Sequence, residues 1–255
     1  MHFRVMISKN TIKNIASLRQ QKVRKASGLF VVEGRKMVDE LLCSDFEVDG
    51  LFATQAFLDG NGAGFAQAAV VSEMQMGQMS GQDTPPGILA VVRIPEQRQI
   101  AVDAPWVLAL DGIANPGNMG TIIRTAEWFG LNDIVCSPDC VELWNPKVIQ
   151  ATMGSVFRMN VAYTPLPDFL SAQRQSGRAV FGALLEGENL FEMKEKAEGV
   201  LVIGSESHGI RADVLPHITH PVTIPRKAGS ATESLNAAVA GGIIIAELTR
   251  LSPLP

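Results

Sequence analysis

From Trp106 onward the chain repeats one unit: a short, wholly apolar run, a turn rich in Gly, Pro and Asn, and a helix-periodic segment. Strands are expected at Val107–Leu110, Asp133–Cys136, Ala179–Leu184, Val200–Ile203 and Val222–Ile224. Helices are expected at Met119–Phe129, Asn145–Gln150, Asp168–Gln173 and Glu233–Leu248. Strands that are apolar on both sides, alternating with helices, predict an α/β fold with a parallel sheet covered on both faces. Such sheets bind ligands in the crevice beyond the carboxyl ends of their strands.

The first part of the chain follows a different pattern. Ile12, Ile15, Leu18 and Val23 recur at helical spacing in a lysine-rich segment. The apolar run Leu29–Val32 follows, then a helix over 35–43 with Met37, Val38, Leu41 and Leu42 on one face. Further strands are expected at Gly50–Ala53, Ala68–Val71 and Ile88–Arg93. Residues 1–95 therefore read as a small α/β domain, and 106–255 as a larger one. The polar stretch 96–105, bounded by prolines at 95 and 105, reads as a linker. Gly60 to Gly64 lacks the register of a phosphate loop and reads as a flexible surface loop.

The net charge of −4 hides an uneven distribution. Residues 1–36 hold nine Lys/Arg against one acid, Glu33, a local charge of +8 that leaves −12 on the rest. Because salt screens charge beyond about 8–10 Å, a phosphate backbone responds to that basic end rather than to the acidic total. The pattern fits RNA or another acidic surface.

Three loops, each directly after an apolar strand, concentrate the chemistry. The first, Asp111 to Gly120, feeds a helix that buries Ile122, Ile123 and Ala126. Arg124 stands roughly opposite Ile122, with five donors suited to a phosphate. The second, Ile203-Gly204-Ser205-Glu206-Ser207-His208-Gly209, carries one carboxylate between glycines that admit close backbone approach. His208 reads as a rim residue. The third runs from Ile224-Pro225 through Glu233-Ser234-Leu235-Asn236 into a helix of small and apolar residues, which implies burial or a tight subunit contact. Neither a phosphate-cradle fingerprint nor a hydrolase nucleophile motif is present. The residues alone thus lead to a cofactor site on an α/β sheet, with the reaction left open.

Other classes are excluded or disfavoured. Cys136 and Cys140 have no second cysteine pair or nearby histidine to complete a zinc set, so no metal is expected. Three cysteines cannot all pair, which favours a reducing cytoplasm, and they read as packing residues. Mean hydropathy is +0.15 and no apolar run reaches the roughly 18 residues of a membrane span. The charged N-terminus has no apolar core, so no signal peptide is expected.

The three loops, in this order, resemble the three motifs of the SpoU (TrmH-like) branch of the SPOUT RNA methyltransferases. The residues that carry the likeness are Asn115-Pro116-Gly117-Asn118-Met119-Gly120 through Arg124-Thr125-Ala126, then Gly204-Ser205-Glu206 through Gly209, then Ile224-Pro225 through Glu233-Ser234-Leu235-Asn236. Ala151 to Arg158 is similar to the family as well. Lys13 to Gly34 resembles its small RNA-binding domain.

The resemblance implies a C-terminal parallel sheet tied in a deep trefoil knot, a homodimer formed through that domain, and S-adenosylmethionine as cofactor. It implies transfer of a methyl group to a ribose 2′-hydroxyl of structured RNA, ribosomal RNA being favoured over tRNA. By position, Ala183, Leu184, Gly204, Ile224 and Leu235 would contact the cofactor. Arg124, Asn115, Glu206, Ser234 and Asn236 would surround the reacting hydroxyl. Lys13, Arg19, Lys22, Arg24, Lys25 and Arg35 would dock the RNA. The segment Arg226 to Thr232 is one or two residues longer than the family's usual third motif. Two other readings are an RNA-binding protein that keeps this fold without catalysis, and a nicotinamide-dependent dehydrogenase. The second lacks its glycine fingerprint and the acid that binds ribose.

Overall fold

The computed structural model describes residues 7–97, 100, 104–194 and 198–251, so Arg4 and half of the expected linker lie outside the described residues. The chain forms two compact units, residues 1–96 with 142–157, and residues 97–141 with 158–255.

In the first unit, α1 (Lys9–Ser17) and α2 (Gln21–Ser27) lead into β1 (Leu29–Glu33). They are followed by α3 (Arg35–Leu42), β2 (Val48–Thr54), α4 (Gln55–Asn61), β3 (Ala69–Val71), α5 (Glu73–Met79) and β4 (Ile88–Arg93). The sheet order is β1-β4-β2-β3, with β4 antiparallel to both neighbours and β3 parallel to β2. Ile12, Ile15 and Leu18, the predicted helical stripe, pack with Met76, Met79, Leu89 and Val91 in one core. Residues 60–64, expected as a flexible surface loop, instead finish α4 and enter a 3₁₀ turn over Gly62–Phe65.

The second unit runs β5 (Trp106–Asp111), α6 (Pro116–Trp128), β6 (Asp133–Cys136), then, beyond α7 (Pro146–Thr152), β7 (Asn160–Tyr163), α8 (Leu166–Gln175), β8 (Ala179–Asn189), β9 (Gly199–Gly204), β10 (His220–Thr223) and α9 (Ala237–Leu251). Every strand pair in it is parallel, in the order β10-β8-β9-β5-β6-β7. β5 and β6 are buried along their whole length, as a sheet covered on both faces requires. The chain builds outward from β5 through β6 to β7, then returns to the other side, so the order reverses between β5 and β9. That reversal is the switch point at which α/β sheets open a ligand crevice.

β8 runs on to Asn189 past the expected Leu184, and β10 lies at His220–Thr223 rather than Val222–Ile224. α9 begins at Ala237, not Glu233, because Asn236 caps it: its Oδ1 accepts from the backbone N–H of Ala238 (3.0 Å) and Val239 (3.3 Å). Residues 142–157, expected within the methyltransferase domain, belong to the first unit. Trp144 stacks near Phe30 with ring centroids 4.5 Å apart and near Phe46 at 6.0 Å, while Phe46 meets Phe157 at 5.3 Å. β7 was not expected; it is a four-residue edge strand with only Ala162 buried, too short for a clear apolar run.

The same insertion overturns one expected RNA contact. Arg24 is 1% exposed, its guanidinium forked on Glu142 and donating to the carbonyls of Leu18 and Arg19, each at 2.8 Å. It is a buried structural cation, because α2 turns it inward rather than toward solvent. Arg24→Ala would strand Glu142 without its partner, and the expected loss is about 3 kcal/mol of stability, read from denaturant unfolding.

Candidate functional site

The first and second loops leave the carboxyl ends of β5 and β9, neighbours in the sheet with Asp111 in register with Gly204. Asn115 caps α6, its Oδ1 accepting from the N–H of Gly117 (2.8 Å) and Asn118 (3.3 Å), and Pro116 at the first helical position needs no donor partner. This cap turns Asn118 toward the second and third loops. Asn118 Nδ2 donates to Glu206 Oε1, Asn236 Nδ2 donates to Asn118 Oδ1 (2.9 Å), and Asn236 Nδ2 also lies 3.1 Å from Glu206 Oε1. One residue from each of the three loops thus meets in a single polar cluster.

Glu206 sits in a tight turn. Ser205 N–H donates to Gly209 O (3.1 Å) and Gly209 N–H to Ser205 O (2.9 Å). Gly204 makes the turn possible, because a Cβ there would stand 2.1 Å from Gly209 C and 2.3 Å from its oxygen. At the root of the turn, the fully buried Asp111 accepts from both the backbone N–H (2.8 Å) and Nε (2.7 Å) of Arg211. Burial works against the Arg211 charge, but Asp111, Asp139 and Asp213 outweigh it and raise the guanidinium's pKa.

Under the first loop, Cys140 Sγ accepts from Ile113 N–H (3.2 Å) and donates to Leu110 O (3.3 Å), while Gly112 N–H donates to Ser137 Oγ (2.9 Å). Hydrogen bonding with Cys136 outweighs burial and brings the Cys140 thiol down to about 7; burial pushes Cys136 up. Both cysteines are buried, and Cys43 is exposed. Among the described residues no group of acidic, His and Cys side chains has the arrangement of a metal site.

A cavity of about 520 Å³ opens between α6 and α9, lined by Asn118, Thr121, Asn236, Val239, Gly242 and Ala246 among others. Arg124 lies on α6 one turn beyond Thr121, exposed and without a partner among the described residues. Ser234 and Leu235 are exposed in the irregular third loop, where Arg226 Nη1 reaches back to Thr232 O (2.9 Å). Ala183 and Leu184, both half-buried, begin a stretch of β8 that bows out of the ladder: Pro221 pairs with Gly182, but Val222 pairs with Glu188. Leu184 packs against the sheet core with Val107 and Val202. His208 is exposed, its N–H on Ser205 Oγ at 3.2 Å.

The sequence did not mark Asn118 as a site residue, although it stands within the first motif, and it did not mark the Asp111–Arg211 pair. An acid ending an otherwise apolar buried strand was the available signal for Asp111.

The description "SpoU rRNA Methylase family" matches residues 105–246, and "MRM3-like substrate binding domain" matches residues 9–90. The chain belongs to the SpoU rRNA methylase family. Among curated proteins it is 30% identical to the 23S rRNA (guanosine(2553)-2′-O)-methyltransferase RlmP of Bacillus subtilis, over 93% of this chain and 95% of that one. Among solved structures it is similar to a TrmH-family protein from Porphyromonas gingivalis, at 36% identity and a TM-score of 0.85, with 96% of this chain and 99% of that chain covered. An S-adenosylmethionine-bound rRNA methyltransferase from Sinorhizobium meliloti is 27% identical with a TM-score of 0.80, covering 97% and 96%.

Proposed function

We propose that this chain transfers a methyl group from S-adenosylmethionine to a ribose 2′-hydroxyl of ribosomal RNA. The observation that carries the reading is the Asn118–Glu206–Asn236 cluster, which draws the three loops together at the switch point of the sheet. The chain's residues fit the cofactor. Gly204 lets the 205–209 turn fold tightly against the end of β9, and Ile224, Leu235, Ala183 and Leu184 offer apolar surface and backbone groups for the cofactor. No metal takes part in this reading.

When bound, S-adenosylmethionine supplies a methyl group already activated on a sulfonium centre. The chain's own residues then have to place the hydroxyl in line and hold its proton. Arg124 binds the phosphate next to the target ribose; its guanidinium offers donors and no acceptor, so it orients rather than acts as base. Asn118 and Asn236 fix the Glu206 carboxylate through Oε1. Its Oε2, without a partner among the described residues, accepts the hydroxyl's hydrogen bond. Asn115 acts through the α6 cap, and Ser234, at the mouth of the third loop, adds a donor to the ribose.

The first unit docks the RNA. Lys13, Lys22, Lys25 and Arg35 are exposed, and Arg19 is exposed although its guanidinium also donates to the carbonyls of Ser80 and Gln78. Lys13→Glu, Lys22→Glu and Lys25→Glu together should weaken rRNA binding and flatten the slope of log affinity against log salt by about two to three units, if each lysine neutralises one phosphate. An unchanged slope, measured by filter binding, would move the docking surface elsewhere.

Two further features belong to this reading. The C-terminal segment threads a loop to tie a trefoil knot, in keeping with α9 packing on α6 and against β8 and β9. Two copies pair through α6 and α9, where Trp128 is 84% exposed and Val239 is 50% exposed. Among the described residues no helix is long and apolar enough to cross a membrane, and cytoplasm is the proposed location.

The test is incubation with tritiated S-adenosylmethionine and bacterial ribosomal RNA, followed by digestion to nucleosides. Label is expected in a 2′-O-methylnucleoside. Label on a base would overturn the ribose assignment.

A further inference from the structure

Asp111 and Arg211 join the roots of the two loops that lead to Asn118, in the first turn of α6, and to Glu206. Asp111 ends β5, and the first loop starts one residue later. Arg211 stands five residues past Glu206, just beyond the turn closed by Ser205 and Gly209. Both oxygens of the buried carboxylate are taken by this one residue, Oδ2 by the Arg211 N–H and Oδ1 by its Nε, so the pair fixes orientation as well as distance. The outer side of the guanidinium is held by Asp139, with Nη1 3.3 Å from Oδ1, and Asp213 stands 3.9 Å from Nε. The two loops also abut here: a Cβ on Gly112, whose φ is +68°, would lie 3.3 Å from Asp139 Oδ2 and 3.8 Å from Ser205 Cβ.

Glu206 itself is exposed, and it is held by the amides of the half-buried Asn118 and the exposed Asn236. Among the described residues no buried group holds its side chain. The rigid anchor of the second loop is therefore the Arg211 root on one side and the Gly204 backbone on the other.

We infer that Arg211, clamped on Asp111, is a positioning residue for methyl transfer: it sets the separation of the first and second loops and thereby aims Glu206 at the reacting hydroxyl. The inference rests on the methyl transfer proposed above. Arg211 touches neither cofactor nor RNA in this role and acts through the loop that it closes.

The pair is tested with Arg211→Ala, Arg211→Lys, Asp111→Asn and the Asp111→Asn/Arg211→Ala double variant. Turnover is measured with tritiated S-adenosylmethionine and bacterial ribosomal RNA, well below each variant's melting temperature and normalised to folded protein. Arg211→Ala is expected to lower kcat by about tenfold to a hundredfold, the scale set by misplacing a catalytic group by about an ångström, with KM for RNA nearly unchanged. Arg211→Lys, which keeps the charge but not the fork, should recover part of the loss. The double variant should be no worse than Arg211→Ala, because the two residues act as one unit. A kcat per folded molecule within about twofold of the parent in Arg211→Ala would overturn the inference, since a purely structural role lowers melting temperature and not kcat. Fully additive losses in the double variant would overturn it as well. If Arg211→Ala does not fold, Arg211→Lys is judged by the same kcat criterion. A parent chain that folds but transfers no methyl would overturn the methyl-transfer reading instead.

Discussion

Replacing Arg124 with alanine is expected to reduce methyl transfer by about a hundredfold or more while S-adenosylmethionine binding stays within about twofold of the parent. The side chain is exposed and has no partner among the described residues, so its removal leaves the fold intact; exposed positions of this kind change stability by about 0.5 kcal/mol or less. It stands on α6, one turn past Thr121 at the cavity, and its five donors suit a phosphate rather than a proton acceptor. Single-turnover kinetics beside cofactor titration separates the two quantities. Equal losses in both would make Arg124 a part of the cofactor pocket and sink its assignment to the RNA side. An Arg124→Lys variant sharpens the result. A point charge keeps some attraction for phosphate but loses the planar fork, so recovery should be small.

Gly204→Ala is the second large effect. The added Cβ would stand 2.1 to 2.4 Å from Gly209 C, Gly209 O and the Ile210 nitrogen, all backbone atoms that no side-chain rotation can move. The turn has to open, at a cost of about 1–3 kcal/mol for forced overpacking. Opening breaks the paired Ser205–Gly209 hydrogen bonds and displaces Glu206 from Asn118 and Asn236. The expected result is loss of cofactor affinity by roughly tenfold to a hundredfold, at about 1.4 kcal/mol per tenfold, with turnover lost alongside it. Isothermal titration with S-adenosylmethionine measures the first. Unchanged affinity would remove Gly204 from the cofactor site. Gly209, whose φ is +64° and whose Cβ position is open, serves as the contrast. A substitution there strains the backbone without a collision and should cost less.

Much of the larger unit was legible because its strands are apolar on both sides and its turns carry Gly, Pro and Asn. β5, β6 and β9 appear where the periodicity placed them, β8 starts where expected but runs five residues past Leu184, and the three loops lie at the carboxyl ends of strands as the parallel sheet demands. The small unit was equally legible in its helical stripe of Ile12, Ile15 and Leu18. The site was legible in part. Glu206 and Asn236, singled out in separate motifs, stand 3.1 Å apart, whereas Asn118, which links them, stood unassigned in its own motif. Arg24 reads from sequence as one more surface cation in a basic run, and only the fold shows it paired with Glu142, 118 residues away.

Local periodicity and turn chemistry by themselves determined the strand–helix alternation, the switch-point loops and the basic N-terminal end, because each depends on residues within a few positions of one another. The ordered motifs likewise determined the family. Tertiary structure alone decided that residues 142–157 pack with the first unit, that α9 starts at its Asn236 cap, and that Asp111 holds Arg211. These depend on aromatic stacking, capping and charge pairing, and the stacked rings and the buried ion pair join residues about a hundred or more apart along the chain, a separation over which no sequence period carries information.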